Sequence, residues 1–322
     1  MDGTSELTVV IVSWNVRELL ARCLRSVQAS LAAGGLAGRV IVVDSASTDG
    51  SAEMVRRDFP EVTLLALEEN RGFAAACNAA LTPTPLPGGE GVRAFLLLNA
   101  DVELEPEAIP RLASYLEAHP EVGVVGPQLR SPDGTVQSSR RRFPTVGTLF
   151  WESTLLEEVF PGNPWVRRYR MQDRPDDVEQ EVDWLVGACL LVRDEAVSQA
   201  GPLDEGYFLY FEELEWLQRI RRAGWRVVYL PSVRAIHYGG RSTAQVPLER
   251  HLHFQRSKVR YARATFGPAV ASLLRLFLLA THGWKFLVEG AKFLLGHRRD
   301  LRRERMRVYA AILRDGLRAT PA

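Results

Sequence analysis

Residues 96–104 read LLLNADVEL. Leu96, Leu97 and Leu98 show no alternation of apolar and polar positions, so the strand they form is covered on both faces. That is the condition of a mostly parallel sheet with helices on each side. The run then stops on Asn99-Ala100-Asp101, an amide and a carboxylate at the end of a buried strand. Ligands of such sheets sit beyond the carboxyl ends of the strands. The stop therefore marks both the architecture and the edge on which function is expected.

The same ending recurs upstream. VVIVSWN (9–15) leaves Ser13-Trp14-Asn15 after a first strand, and RVIVVDS (39–45) leaves Asp44 after a second. Helical patterns after Asn15, Gly72 and Pro106 alternate with the apolar runs VTLLAL (62–67), RAFLLLNA (93–100) and VGVVGP (122–127). This is a βαβ series. Asn15 and Glu18 carry an Asn-x-x-Glu capping signal for the first helix. TPTPLPGGEG (82–91) reads as a surface loop. Residues 140–178 lack periodicity and stay open between a mobile lid and a peripheral helical excursion. The core resumes from VDWLVGACLLVR (182–193) to WRVVYLPSVRAIHY (225–238), with a helix over roughly 211–223 between them.

The 322 residues, 46% of them hydrophobic, suffice for one large α/β domain, expected over residues 1–247, and a helical appendage over 248–322. Cys23, Cys77 and Cys189 have neither disulfide-framework nor metal-ligand spacing, which suits a reducing cytoplasm. The opening MDGTSEL has no basic or apolar region of a secretory signal. The formal net charge of +1 hides a division. Residues 1–250 carry 25 Lys/Arg against 35 Asp/Glu, and residues 251–322 carry 15 against 4. An acidic body argues against nucleic acid as a partner, because phosphate contacts demand a basic face.

Each polar mark has a functional reading and a plain one. The Trp14 ring can stack on a flat base, or pack in the core. The Asp44 carboxylate can accept from a base N–H or a ribose hydroxyl, or cap a helix. Asp101, costly as an isolated charge beside a buried strand, can hold a hard divalent ion, Mg²⁺ or Mn²⁺, that also binds phosphates; or it caps the turn before Pro106. Arg241 and Ser242 follow Gly239-Gly240 and can clamp phosphates, or lie in a solvated loop.

VVIVSWN, VVDSASTDGS, ENRGFAAACNAAL, LLLNADVEL, VGACLLVRDEAVSQAGPLDEGYFLYFEELEWLQRIRRAGW and AIHYGGRST occur in the order and rough separations of a known family. Together they resemble the GT-A-fold inverting glycosyltransferases of family two, most closely their bacterial rhamnosyltransferase-like branch. The resemblance spans about residues 7–245. It implies a nucleotide-binding α/β sandwich and sugar transfer from a nucleoside diphosphate donor to an acceptor hydroxyl. It implies further that Val12, Ser13, Trp14, Asp44 and Arg71 hold the nucleoside. Asn99-Ala100-Asp101 matches the Asp-x-Asp motif, with Asn99 as a neutral ribose contact and Asp101 as metal ligand. His237 matches a histidine that joins the metal or diphosphate. Trp184 and Gly187-Ala188 match the wall of the acceptor or donor sugar, or line the core. The branch implies rhamnose on deoxythymidine diphosphate.

An acceptor hydroxyl that attacks the anomeric carbon must lose a proton to a general base. Glu215 stands four residues before Arg219, the spacing of a solvated ion pair. Glu213 shares a stripe with Leu217 and Ile220, where desolvation raises a carboxyl pKa. Glu213 is therefore the expected base, with Glu212 the second choice and more suited to binding acceptor. The family's usual Glu-Asp pair has Asp where Glu213 stands.

In residues 269–296, Arg275, His282, Lys285, Glu289 and Lys292 form one polar stripe on an otherwise apolar helix. HRRDLRRERMR adds six arginines. Charges disfavour a lipid-exposed span, so an in-plane helix on the anionic inner face of the plasma membrane is expected. The alternative is a helical hairpin packed on the body or on a second copy in a homodimer. Two further functions compete: a sugar-phosphate nucleotidyltransferase, although SWNVRELL lacks its Gly-rich, basic phosphate loop, and a non-catalytic sugar-nucleotide-binding scaffold. A redox dinucleotide site fails for want of Gly-x-Gly-x-x-Gly after the first strand.

Overall fold

The structure, a computed structural model, describes residues 6–81, 93–152 and 154–318; the expected loop at 82–91 lies outside them. The strands in chain order are β1 (Glu6–Ser13), β2 (Gly38–Asp44), β3 (Thr63–Ala66), β4 (Arg93–Asn99), β5 (Val102–Leu104), β6 (Val122–Arg130), β7 (Arg140–Arg141), β8 (Gln180–Val182), β9 (Trp184–Leu185), β10 (Cys189–Arg193) and β11 (Arg226–His237). The helices are α1 (Arg17–Gly34), α2 (Ser51–Asp58), α3 (Phe73–Ala80), α4 (Ala108–Ala118), α5 (Val146–Trp151), α6 (Leu155–Val159), α7 (Pro164–Tyr169), α8 (Asp194–Ala200), α9 (Glu212–Arg222), α10 (Pro247–Phe266), α11 (Pro268–Leu294) and α12 (Arg299–Asp315).

The chain divides into two compact units. The first comprises residues 1–143, 170–205 and 212–242; the second comprises 144–169, 206–211 and 243–322. Residues 140–178 thus contribute short helices to the second unit, and that unit begins its C-terminal part at Thr243.

The first unit is the expected α/β sandwich. Its main sheet runs β3-β2-β1-β4-β10-β6-β11-β5, with β8 also on β11. β3, β2, β1 and β4 are parallel, and β10 enters antiparallel between β4 and β6. The apolar runs are covered on both faces as their lack of alternation requires: Val9, Ile11, Val42, Val43 and Leu96 have no exposed surface. The three cysteines are free and buried.

One local expectation fails. The helix begins at Arg17, with Val16 at its cap and no side-chain cap bond. Asn15 instead lies in the left-handed region (φ 51°), and its Oδ1 accepts from the Thr48 N–H at 2.7 Å. The Arg17 N–H donates to Asp49 Oδ2 at 2.8 Å, and the Asn15 N–H to Ser47 Oγ at 2.9 Å. The helix is capped across the sheet edge, which ties the loop after β1 to the loop after β2.

The second unit is helical. Lys258 has no exposed side-chain surface and donates to the Glu152 carbonyl oxygen, with the Glu152 carboxylate 3.5 Å away. α11 is long and apolar enough to cross a membrane by length and composition alone. Part of its polar stripe is buried within the unit. His282 and Glu289 are buried: His282 Nε2 lies 3.0 Å from His251 Nε2, and Glu289 pairs with Arg302 at 2.7 Å. Arg275 donates to the Gly316 carbonyl. His282 and Glu289 turn inward because α10 and α12 supply partners for them, whereas Lys292 at the end of the stripe stays exposed. Leu273, Leu276, Trp284, Leu287 and Leu294, which share the opposite face by helical spacing, are 57–79% exposed.

Candidate active site

β1, β2 and β4 end side by side, and the register aligns their polar terminal residues. Ser13 pairs with Asp44, and Val12 pairs with Asn99. The Ser45 N–H donates to the Ser13 carbonyl at 2.9 Å, locking the two ends together. Ser13 is buried and its Oγ has no hydrogen-bond partner. The two oxygens of Asp44 differ in their surroundings. Oδ2 accepts from the Ser47 N–H at 3.0 Å, capping the turn, whereas the buried Oδ1 has no partner. Trp14 is half-buried beside them.

Arg71 stands just before Gly72, whose φ of 91° starts α3, and it lies 3.7 Å from Glu205. Its side chain is largely exposed.

Past Asn99 the chain turns through the buried Ala100 and Asp101 into β5, which pairs antiparallel with the end of β11. The Tyr238 N–H donates to the Asp101 carbonyl at 2.9 Å. This puts the Asp101 carboxylate opposite His237: Oδ1 lies 3.4 Å from Nε2, and the Arg241 N–H approaches Oδ2 at 3.4 Å. Gly239 and Gly240, at φ 69° and 61°, bend the chain back to bring Arg241 there, a backbone that L side chains rarely adopt. Ser242 follows at the end of the unit. His237 Nε2 is buried and has no hydrogen-bond partner. Its Nδ1 lies 2.8 Å from Gln137 Oε1.

A carboxylate oxygen and an unpartnered imidazole nitrogen thus converge. Among the described residues no cluster of three or more His, Cys, Asp or Glu side chains forms a metal cage. Two protein ligands with open positions suit a hard divalent ion that is shared with phosphates.

The acids come to this edge from α9. The Asn99 N–H donates to the Ala188 carbonyl at 2.9 Å, so Gly187-Ala188 runs beside the end of β4. Gly187 in turn faces Glu213, its N–H 3.4 Å from Oε1. Glu213 is half-buried and Glu212 fully buried, so the second-choice acid is the deeper one. One oxygen of each, Oε2, has no hydrogen-bond partner. Burial, then the neighbouring Glu213 charge, pushes the Glu212 carboxyl well above the ordinary range. Burial also raises Glu213, opposed by backbone N–H groups, among them Gly187, and by Arg141. Glu215 pairs with Arg219 at 2.9 Å as its spacing requires. Trp184 is buried, and its Nε1–H donates to the Arg142 carbonyl at 3.0 Å, anchoring the short β7–β9 ladder.

The structure brings Val12, Ser13, Trp14, Asp44 and Asn99 to one edge, and Asp101, His237 and Arg241 to a second cluster at the far end of the same turn. Glu212 and Glu213 stand behind Gly187. Gln137, 100 positions before His237, carries no motif that would have singled it out.

Comparison with known proteins supplies the context. The family described as "Glycosyl transferase family 2" matches residues 8–199. An N-acetylglucosaminyl-diphospho-decaprenol L-rhamnosyltransferase of Mycobacterium tuberculosis is 34% identical over 251 residues, 76% of this chain and 80% of that protein. A mannosyltransferase from Pyrobaculum calidifontis, solved with GDP-Man and Mn²⁺, superposes with a TM-score of 0.51 at 18% identity, covering 95% of this chain and 84% of that one. GalNAc-T7, solved with UDP, GalNAc and Mn²⁺, superposes with a TM-score of 0.50 at 15% identity, covering 72% of this chain and 42% of that one. These two likenesses establish the fold.

Proposed function

The chain belongs to glycosyltransferase family 2, and on that premise we propose that it moves a sugar, rhamnose, from a nucleoside diphosphate donor to a hydroxyl of a lipid-linked glycan, with inversion. The carrying observation is a set of orphaned buried atoms. Ser13 Oγ, Asp44 Oδ1, His237 Nε2, and one oxygen each of Glu212 and Glu213 are buried without partners. Each such atom costs about 1–3 kcal/mol if nothing satisfies it, and these five belong to residues of the nucleotide, phosphate and base regions.

Asp44 Oδ1 and Ser13 Oγ face the nucleoside, and Trp14 offers its ring for stacking. Asn99 presents a neutral hydrogen bond to the ribose. Asp101 and His237 hold a divalent cation, Mg²⁺ or Mn²⁺, which supplies charge stabilisation for the departing diphosphate. Arg241 and Ser242 lie on the chain segment that reaches the same phosphates. Glu213, kept basic by burial, takes the proton of the acceptor hydroxyl, and Gly187 leaves room for its side chain.

The relative's named acceptor, a diphospho-decaprenol, supports a lipid-linked substrate. The exposed apolar face of α11 supports attachment to the inner face of the membrane. The test is a donor-hydrolysis and transfer screen across nucleotide sugars, with and without Mg²⁺ or Mn²⁺. Turnover of a deoxythymidine diphosphate sugar that requires the metal is the expected result. A protein that neither binds nor turns over any donor would refute the proposal.

A further inference from the structure

Gln137 follows the tight turn at Gly134, in the hairpin arm that extends β6. Its backbone N–H donates to the Leu129 carbonyl at 2.9 Å, so the arm fixes where the side chain starts. The carboxamide then makes two contacts with one residue. Nε2 donates to the His237 carbonyl at 2.8 Å, and Oε1 faces His237 Nδ1 at 2.8 Å. Nε2 is also 3.2 Å from Ser131 Oγ.

The direction of the amide follows from these neighbours. Turning it over would aim its oxygen at a carbonyl oxygen, which cannot donate. Oε1 therefore stays opposite Nδ1, and Nδ1 must carry the ring proton to make that 2.8 Å contact a hydrogen bond. A neutral imidazole has only one N–H, so Nε2 is left with its lone pair. That nitrogen is the buried atom without a partner, 3.4 Å from Asp101 Oδ1.

We infer that Gln137 is a positioning residue: it holds His237 in the Nδ1–H form and so presents the Nε2 lone pair, beside Asp101, to a divalent cation. This rests on the cation reading of Asp101 and His237. Two nearby acceptor atoms facing each other without a proton between them are unfavourable on their own, and a hard cation removes the conflict. Partners of the second ring nitrogen commonly set both tautomer and ligand basicity, and their loss lowers metal affinity about 10–100-fold.

The experiment separates the tautomer from the cation. Nitrogen NMR of the His237 ring in metal-free protein at pH 8 reports which nitrogen is protonated, and calorimetric titration with Mn²⁺ alone reports affinity. Wild-type protein should show Nδ1–H. Gln137→Ala, and Gln137→Met as a variant of similar length, should shift the ring towards Nε2–H and weaken Mn²⁺ binding about 10–100-fold. Gln137→Glu keeps an acceptor opposite Nδ1 while losing the bond to the His237 carbonyl, and it should still hold the ring as Nδ1–H, which a merely structural knot between hairpin and strand would not do. A wild-type ring in the Nε2–H form, or folded variants with unchanged ring and affinity, would overturn the inference. An Nδ1–H ring in wild-type protein that binds no Mn²⁺ would overturn the cation reading instead, and with it the positioning role of Gln137.

Discussion

Glu213 lies against the backbone of Gly187. A Cβ built at position 187 would come within 3.2 Å of Glu213 Cβ and 3.3 Å of Cγ, and the Gly187 N–H is 3.4 Å from Oε1. The neighbouring Ala188 carbonyl accepts from the Asn99 N–H, so the same two residues fix the acid relative to the end of β4. Gly187→Ala should push the carboxylate aside. Displacement of a base by about 1 Å can cost on the order of 10²-fold, so kcat should fall by that order while affinity for the free nucleoside diphosphate stays unchanged. Steady-state kinetics beside a calorimetric titration check this, and an unchanged kcat would detach Glu213 from the chemistry.

The two glutamates should separate by pH. Burial raises both carboxyls. The stronger upward push falls on Glu212, because the Glu213 charge adds to its burial. A carboxyl whose folded pKa exceeds its unfolded value of 4.5 stabilises fully below that value and loses the contribution as pH rises through the folded pKa. Glu212→Gln should therefore raise the melting temperature at pH 8, have little effect near pH 4, and leave the acid limb of kcat/KM in place. Glu213→Gln should lower kcat by about 10²–10⁴-fold. Equal losses in the two variants would shift the base to Glu212.

These residues also show what the sequence could convey. A run such as LLLNADVEL holds in one place the burial of a strand and its abrupt end, and the alignment of Ser13 with Asp44 follows once the strands are parallel. The Glu215–Arg219 pair is equally local. The capping of α1 is not. Whether Asn15 caps its own helix or the loop holding Thr48 depends on a partner 33 positions away. Gln137 has the same difficulty over 100 positions. The periodicity of α11 correctly separated a polar stripe from an apolar face, but which face turns inward depends on the Arg302 and His251 partners carried by α12 and α10.

Asp44 divides its two oxygens between structure and ligand, which makes Asp44→Asn informative. The asparagine oxygen can keep the Ser47 N–H, while an amide NH₂ replaces the acceptor at the unpartnered Oδ1. Loss of a hydrogen bond to a charged group is worth about 1.5–3 kcal/mol, so affinity for the nucleoside diphosphate should fall roughly 10–150-fold with the melting temperature nearly unchanged. Calorimetry and thermal melting decide it. Equal affinity in variant and wild type would confine Asp44 to capping the turn.

α11 presents a row of large apolar side chains to solvent and buries His282 and Glu289. Exposed apolar area of this kind marks a contact surface, and the cations beside it indicate the partner. Arg298, Arg299, Arg303 and Arg305 are exposed at the end of the same helical hairpin, Arg305 3.6 Å from Glu289, whereas Arg302 is buried against Glu289. Fully burying a Leu-sized side chain contributes about 1.5–3 kcal/mol, and each arginine near an anionic surface about 1 kcal/mol. The protein should therefore sediment with vesicles containing phosphatidylglycerol at about 0.15 M salt and less so at higher salt, since the Debye length shortens from about 8 Å towards about 3 Å at 1 M. Trp284→Glu with Leu287→Glu should release it, without loss of donor binding, because both positions lie outside the unit that carries the nucleotide edge. If the wild-type protein ignores vesicles and sediments as a dimer that the same substitutions dissociate, the face joins two copies of the chain instead.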